Sequence, residues 1–128
     1  MTEEIELWQE KYAVENLTKL GIKKNMTVLD FGAREGYYSL PAAEIVGSEG
    51  KVIAIDKEKG PLSKLLDKAD KKGINNIETI NNEDIQNLEI ESETIDFIIL
   101  FDVYHELKEK DIYLKEFYSI LKYRGILS

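Results

Sequence analysis

The chain has 128 residues, 43% hydrophobic and 33% charged, which suits one soluble globular domain and leaves no apolar run of about 18 residues to cross a bilayer. It has no cysteine, which excludes disulfides, thiolate metal sites and a thiol nucleophile; its acidic start, Met1-Thr2-Glu3-Glu4, is unlike a basic secretory signal, so the cytoplasm is the expected compartment. A net charge of −8 lacks the cationic footprint of nucleic-acid binders, and the pairs Lys23-Lys24 and Lys71-Lys72 sit among acids, so a small-molecule partner is expected rather than RNA or DNA.

From the N-terminus, residues near Glu3 to Leu20 read as an amphipathic helix with Ile5, Trp8 and Tyr12 at helical spacing and Gly21 as its stop. Met26 to Phe31 is a short apolar strand, and the loop Gly32 to Gly36 feeds a helix from about Tyr37 to Val46, closed by Gly47. Pro41 falls in or near the first turn of that helix, where a missing N–H costs little. Lys51 to Asp56 is a second strand. Pro61 opens a helix with Leu62, Leu65, Leu66 and Ala69 on one face, and Gly73 ends it. Ile77 to Asn81 is a third strand. Ile95 to Phe101 is a fourth, apolar at nearly every position, as a strand buried on both faces of a parallel sheet should be. A helix is expected from about Lys110 to Lys122, with Leu114, Phe117, Tyr118 and Leu121 on one stripe. Gly125 then turns the chain into Ile126-Leu127-Ser128, the beginning of a fifth strand. Strand–helix units in succession imply an α/β fold with a doubly wound parallel sheet, here one domain over 1–128: an N-terminal helix over 1–21 and an α/β core over 26–128.

In such sheets ligands bind beyond the carboxyl ends of the strands, where strand order reverses. Strand one ends in Asp30-Phe31-Gly32-Ala33-Arg34-Glu35-Gly36, and glycines there let the backbone turn tightly and approach a ligand. A lone G-x-x-x-G says little; a strand before it, a helix after it and Asp56 twenty residues past Gly36 sharpen it. Asp56 ends strand two, where a carboxylate can accept from both hydroxyls of a ribose; the alternative is a turn aspartate leading into Lys57-Glu58. Asp84 follows strand three with Ile85 beside it, placed to accept from an adenine amino group and cover the ring; Glu83 can take the same role, and a helix-capping aspartate is the alternative. The sole histidine, His105, lies just past strand four on the ligand side of the sheet. It is the candidate general base, with capping or packing of the next helix as the alternative and Tyr104 and Glu106 as weaker candidates. Tyr37, Tyr38, Trp8 and Tyr12 can shape a lid or belong to the core.

The segments VLDFGAREGYYSLPAAEIVG, KVIAID, NNEDIQNL, IDFIILFDVYHEL and LKYRGILS resemble, in order and spacing, the successive motifs of class I S-adenosylmethionine-dependent methyltransferases. The likeness is greatest to the small-molecule branch that includes quinone methyltransferases, and it runs from about residue 5 to the C-terminus. It implies a Rossmann-like sheet of order 3-2-1-4-5 that lacks the family's last strands, and S-adenosylmethionine as cofactor. It implies Asp30, Gly32 and Gly36 near the methionine moiety, Asp56 at the ribose, Asp84 and Ile85 at the adenine, and Phe101-Asp102 lining the methyl-transfer mouth. Ala33 in the loop and Lys57 after Asp56 complete the expected cofactor-binding set. The loop departs from the family's D-x-G-x-G-x-G at Arg34, which replaces the middle glycine. A side chain there is strained by about 1–2 kcal/mol if φ is positive. Its charge opposes a sulfonium unless it swings to solvent or pairs with an acid such as Glu35.

The reaction implied is methyl transfer to a small-molecule or lipid-like acceptor. The cofactor carries the reactivity, so no triad and no metal is required. Without cysteine, thiolate-dependent acceptor chemistry such as arsenite methylation is not expected. A second reading is a catalytically silent module that holds the cofactor, a related nucleoside or a protein partner. A third, a nicotinamide-dependent oxidoreductase, needs a G-x-G-x-x-G that this loop does not have. With only a stub of strand five, the apolar edge of strand four is expected to drive self-association through the strand 4/5 edge.

Overall fold

The computed structural model describes residues 3–81, 94–100 and 121–127, with side chains described for 11–81 and 94–100. Its elements are α1 (Glu3–Leu20), β1 (Thr27–Phe31), α2 (Ser39–Val46), β2 (Lys51–Asp56), α3 (Lys59–Lys71), β3 (Ile77–Asn81), β4 (Ile95–Ile99) and β5 (Leu121–Leu127). The five strands form one sheet of order β3-β2-β1-β4-β5, and every neighbouring pair is parallel. Chain order reverses between β1 and β4, so the crevice for a ligand opens beyond the carboxyl end of β1.

The apolar runs have a simple cause. Side chains alternate across a strand, so Val28, Val52 and Phe97, which stand in register, share one face, while Leu29, Ile53 and Ile98 share the other. All six are buried, which means both faces are covered and neither tolerates the polar half of an alternating pattern. On the first face, Val28, Val52, Phe97 and Ile99 pack with Leu17 of α1, Ile22, and Ala42, Ala43 and Val46 of α2. Beside them Ala54 packs with Ala33, Leu40, and Leu62, Leu65 and Ala69 of α3. Burial of each Val, Leu, Ile or Phe contributes about 1.5–3 kcal/mol, so this layer carries much of the fold.

Two polar contacts set the register of the layers. The Thr27 N–H donates to Asp96 Oδ2 at 2.8 Å, fixing the start of β1 against β4. The Asn76 side-chain amide, just before β3, donates to the carbonyls of Ala43 (3.0 Å) and Gly47 (2.8 Å). It is a second donor to each, since the Ala43 carbonyl also accepts the Gly47 N–H and the Gly47 carbonyl the Gly50 N–H, and it ties the approach to β3 to the end of α2.

Several boundaries differ from the sequence reading, beginning with β1, which starts at Thr27 rather than Met26. α2 begins at Ser39 rather than Tyr37, because Gly36 to Tyr38 complete the loop and no side chain caps the helix. α3 begins at Lys59, two residues before Pro61, which still lies in the first turn. β4 ends at Ile99. β5 is a seven-residue strand rather than a three-residue stub, and it includes Leu121 and Lys122, which had been expected to end a helix. Gly125 lies inside β5 rather than at a turn. The register explains it: Ile95 pairs with Leu121 and Phe97 with Ile126, so the residues between are accommodated in a bulge, where glycine is at home. The rest of the expected helix, Lys110 to Ile120, lies outside the described residues.

β4 is therefore paired on both sides, and Ile95, Phe97, Ile98 and Ile99 are fully buried. The bare strand-four edge expected from the sequence is not there, because β5 takes it up. Among the described residues no helix is long and apolar enough to cross a membrane.

Replacing Asn76 by alanine should remove one of the two donors at each carbonyl and cost about 0.5–1.5 kcal/mol, the net worth of an ordinary hydrogen bond. Urea denaturation of wild type and Asn76→Ala measures this directly, and unchanged stability would show that water replaces the amide at no cost.

Candidate functional site

β1 delivers the chain to the crevice and the next five residues turn it back. Gly32 and Gly36 take φ of 85° and 91°, which a β-carbon disfavours. The N–H groups of Gly32 and Ala33 both donate to the Ile55 carbonyl, at 2.8 and 2.9 Å, stitching the loop to the end of β2. The Gly36 N–H closes the turn onto the Ala33 carbonyl at 3.0 Å, and the Gly36 carbonyl accepts from Leu40 as α2 begins. Gly36 is also a packing requirement: a β-carbon there would overlap the Leu65 side chain and press on Leu40. The Ala33 side chain is buried beneath the loop among Leu40, Ala54 and Leu65, so the backbone is what Ala33 offers a ligand.

Asp56 stands where these strands end. Its Oδ2 accepts the Arg34 N–H at 2.8 Å and its Oδ1 accepts the Glu58 N–H at 2.9 Å, while the Asn81 side-chain amide donates to its carbonyl at 3.0 Å. The carboxylate thus joins the glycine loop to its own turn, and the backbone carbonyl of Asp56 joins both to the end of β3. Each oxygen has a second lone pair, and the residue keeps 8% exposure, so the group can still accept from a ligand with two adjacent hydroxyls. That donor and acceptor set fits the ribose of a nucleoside.

Asp30, at 2% exposure, is more deeply placed. Ser39 donates its hydroxyl to Oδ2 at 2.7 Å, from the first residue of α2. Burial pushes the Asp30 carboxyl from its ordinary 3.8 up to about 6; the Ser39 hydrogen bond pulls it down, and the charge of Asp56 adds to the rise.

Arg34 does take a positive φ, 51°, so the strain foreseen for a side chain at this position is present. Its guanidinium is exposed. Glu35 does not neutralise it: that carboxylate faces α3, 3.6 Å from Lys64 Nζ and 3.3 Å from Lys68 Nζ. The hydrogen bond from Lys68, with the charges of Lys64 and Lys68, holds Glu35 below the usual carboxylate range. Tyr37, at 61% exposure, stands on the rim, whereas Tyr38 meets it edge-on at 6.1 Å and packs against the core. Tyr12 is exposed on α1, and Lys57 is exposed beside Asp56.

The structure therefore brings together Asp30, Gly32, Ala33, Gly36, Asp56 and Lys57 at one end of the sheet. Asp84, Ile85, Phe101 and His105, with Glu83, Asp102, Tyr104 and Glu106, lie outside the described residues, as does the Trp8 side chain. Sequence reasoning missed Ser39 and Asn81, and also that the Arg34 N–H, not its side chain, meets Asp56. Ser39 reads as an ordinary helix-start serine, and nothing local joins it to an aspartate nine residues earlier. Among the described residues no group of three or more His, Asp or Glu side chains is placed to hold a metal.

A family model described as a methyltransferase domain matches residues 22–128. The "Probable cobalt-precorrin-6B C(15)-methyltransferase (decarboxylating)" of Saccharolobus solfataricus is 35% identical over 108 residues, 84% of this chain and 54% of that protein. The chain belongs to the class I S-adenosylmethionine-dependent methyltransferases. Among solved structures, this methyltransferase domain is similar to a SAM-dependent methyltransferase from Aquifex aeolicus at 32% identity and a TM-score of 0.75, over 86% of this chain and 58% of that one. It shares its fold with M. jannaschii TYW2 in complex with AdoMet, at 22% identity and a TM-score of 0.69, over 99% of this chain and 52% of that one. The methyltransferase chain thus spans about half the length of the relatives it matches. The cofactor that goes with this membership is S-adenosylmethionine.

Asp30 makes the stability of the domain depend on pH. As pH rises from 3.8 toward about 6, the unfolded chain releases this proton while the folded chain keeps it, so stability falls through that window and is level above it. Asp30→Asn removes the effect. The variant should match wild type near about pH 4 and exceed it by on the order of 2–3 kcal/mol near about pH 8. Denaturant melts at the two pH values decide this; a variant that loses stability at the higher pH would mean the carboxylate is stabilised by something other than Ser39.

Proposed function

We propose that this methyltransferase domain binds S-adenosylmethionine across the carboxyl ends of β1 and β2 and serves methyl transfer to a small-molecule or lipid-like acceptor. The observation that carries the reading is Asp56: a nearly buried carboxylate at the end of β2, held as an acceptor by two backbone N–H groups, with lone pairs left for a ribose diol. Gly32, Ala33 and Gly36 give a backbone that approaches the methionine portion closely, with Asp30 behind it and Lys57 beside the ribose. Asp84 and Ile85 serve the adenine, Phe101 the mouth of the site, and His105 the acceptor proton where one must leave. The sulfonium supplies an activated methyl group, and the protein aligns it and excludes water. A cobalt-precorrin is the acceptor in the name of the 35% identical relative, which supports the small-molecule half of the proposal.

Arg34 favours the second reading, a silent binding module, because a strained residue with the same charge as the cofactor stands in the loop proposed to meet it. Self-association through the strand 4/5 side of the sheet would have to use the outer edge of β5, since β4 is already paired.

Calorimetric titration with S-adenosylmethionine, S-adenosylhomocysteine and NAD tests the proposal, with binding expected for the first two alone. Asp56→Ala should weaken S-adenosylhomocysteine binding about tenfold or more, since a charge-assisted hydrogen bond contributes over 1 kcal/mol. Equal affinity for mutant and wild type would sink the ribose assignment.

Arg34→Gly relieves the strain at φ 51° and removes a positive charge, so it should tighten binding of S-adenosylmethionine. Weaker binding in the same titration would make Arg34 a contact to the cofactor carboxylate instead.

A further inference from the structure

Asp30 lies one residue before the end of β1 and Asp56 ends the neighbouring β2, close enough for their charges to interact, yet their partners differ in kind. Asp56 is met by two backbone N–H groups, which can only donate. Asp30 is met by a hydroxyl, Ser39 Oγ at 2.7 Å, its one hydrogen-bond partner among the described residues. A hydroxyl donates to a carboxylate and accepts from a carboxylic acid by rotating about its own bond. Asp30 can therefore gain or lose a proton without moving α2 or the loop.

We propose that Asp30 sets the charge selectivity of the cofactor site, favouring the sulfonium of S-adenosylmethionine when ionised and losing that preference when protonated. The inference rests on the cofactor site proposed above. Methyl transfer converts a cationic sulfur to a neutral thioether, so the two forms of the nucleoside differ at that atom by one charge and one methyl group. A carboxyl at 2% exposure is poorly screened by water, so its charge is felt across the site. By linkage, what favours the cation in the ionised state must favour proton release when the cation binds. The site then takes up a proton from solvent when product replaces cofactor, and returns it when cofactor replaces product.

Among the described residues, the surroundings leave Asp30 as the group that responds. From β2 it faces Asp56, whose charge adds to the rise to about 6 that burial mainly causes, within the working range of most proteins. From β4 its register partner is Ile99, which carries no charge. From α2 it faces Ser39, while Glu44 on that helix is exposed. In the loop Arg34 is exposed and Glu35 is paired with Lys64 and Lys68 of α3.

The test is the ratio of affinities for S-adenosylmethionine and S-adenosylhomocysteine, measured by calorimetry from about pH 5 to about pH 8. Both ligands carry the same amino, carboxylate and adenine groups, and the effect of the sulfonium on the amino group is common to wild type and Asp30→Asn, so it cancels when the two proteins are compared. In wild type the ratio should move about tenfold toward S-adenosylmethionine as pH rises, the change that one pKa unit of coupling gives. In Asp30→Asn this change should be lost, leaving only the slope that the ligands' own titration gives. Binding of both ligands with a constant ratio in wild type overturns this inference and leaves the cofactor site standing. An equal slope in Asp30→Asn assigns the titration to another group and overturns it as well. Failure of both ligands to bind at any pH overturns the cofactor site, and this inference with it. If Asp30→Asn does not fold, Ser39→Ala takes its place: loss of the donor should shift the midpoint of the ratio to higher pH, and an unmoved midpoint counts against Asp30.

Discussion

The site depends on the hydrogen bond from the Arg34 N–H to Asp56. A five-residue loop with three residues at positive φ has no regular backbone pattern to hold it, and its conformational freedom is costly to remove. The Ile55 carbonyl fixes its first two N–H groups, and Asp56 fixes the next. With the loop anchored, Gly36 comes to rest against Leu65, α2 starts at Ser39, and Ser39 finds Asp30. Released from Asp56, Arg34 would have no reason to remain at φ 51°, where a side chain is disfavoured. The strain at Arg34 is thus held by the carboxylate proposed to meet the ribose, and loop shape and ligand contact share one side chain.

How much could be read from the sequence followed from where the information resides. β1, β2 and β4 were legible because burial on both faces forces apolar runs, and a run such as Ile95 to Leu100 has few other uses. α3 was legible from its stripe of Leu62, Leu65 and Ala69. β5 was legible in part: its place beside β4 and its Ile126-Leu127 end were expected, but its start at Leu121 was not, because Lys122, Arg124 and Gly125 break the apolar run and a bulge hides the strand's period. The start of α2 was misplaced because Tyr37 and Tyr38 carry no capping oxygen to mark it.

In the site, Gly32, Gly36 and Asp56 could be found from spacing alone, since a strand, a tight turn and a second strand fix their separation. The Ser39–Asp30 and Arg34–Asp56 bonds join residues 9 and 22 apart, and each exists only once the strands lie parallel. The side-chain direction of Glu35 was equally out of reach, because Arg34 is its neighbour in the chain while Lys64 and Lys68 are its neighbours in space.

The last of these contacts gives the loop a second tether of a different nature. Glu35 is joined to Lys64 and Lys68 in the open, where ions in solution compete for all three charges, whereas the bonds to Ile55 and Asp56 run through backbone groups at the buried ends of the strands. Ionic strength therefore acts on one tether and spares the other. In dilute buffer the loop is moored to both β2 and α3; in molar salt, where the Debye length is about 3 Å, the α3 mooring slackens while the β2 mooring holds. Salt concentration becomes a means of loosening the outer side of the loop without disturbing its attachment to the sheet.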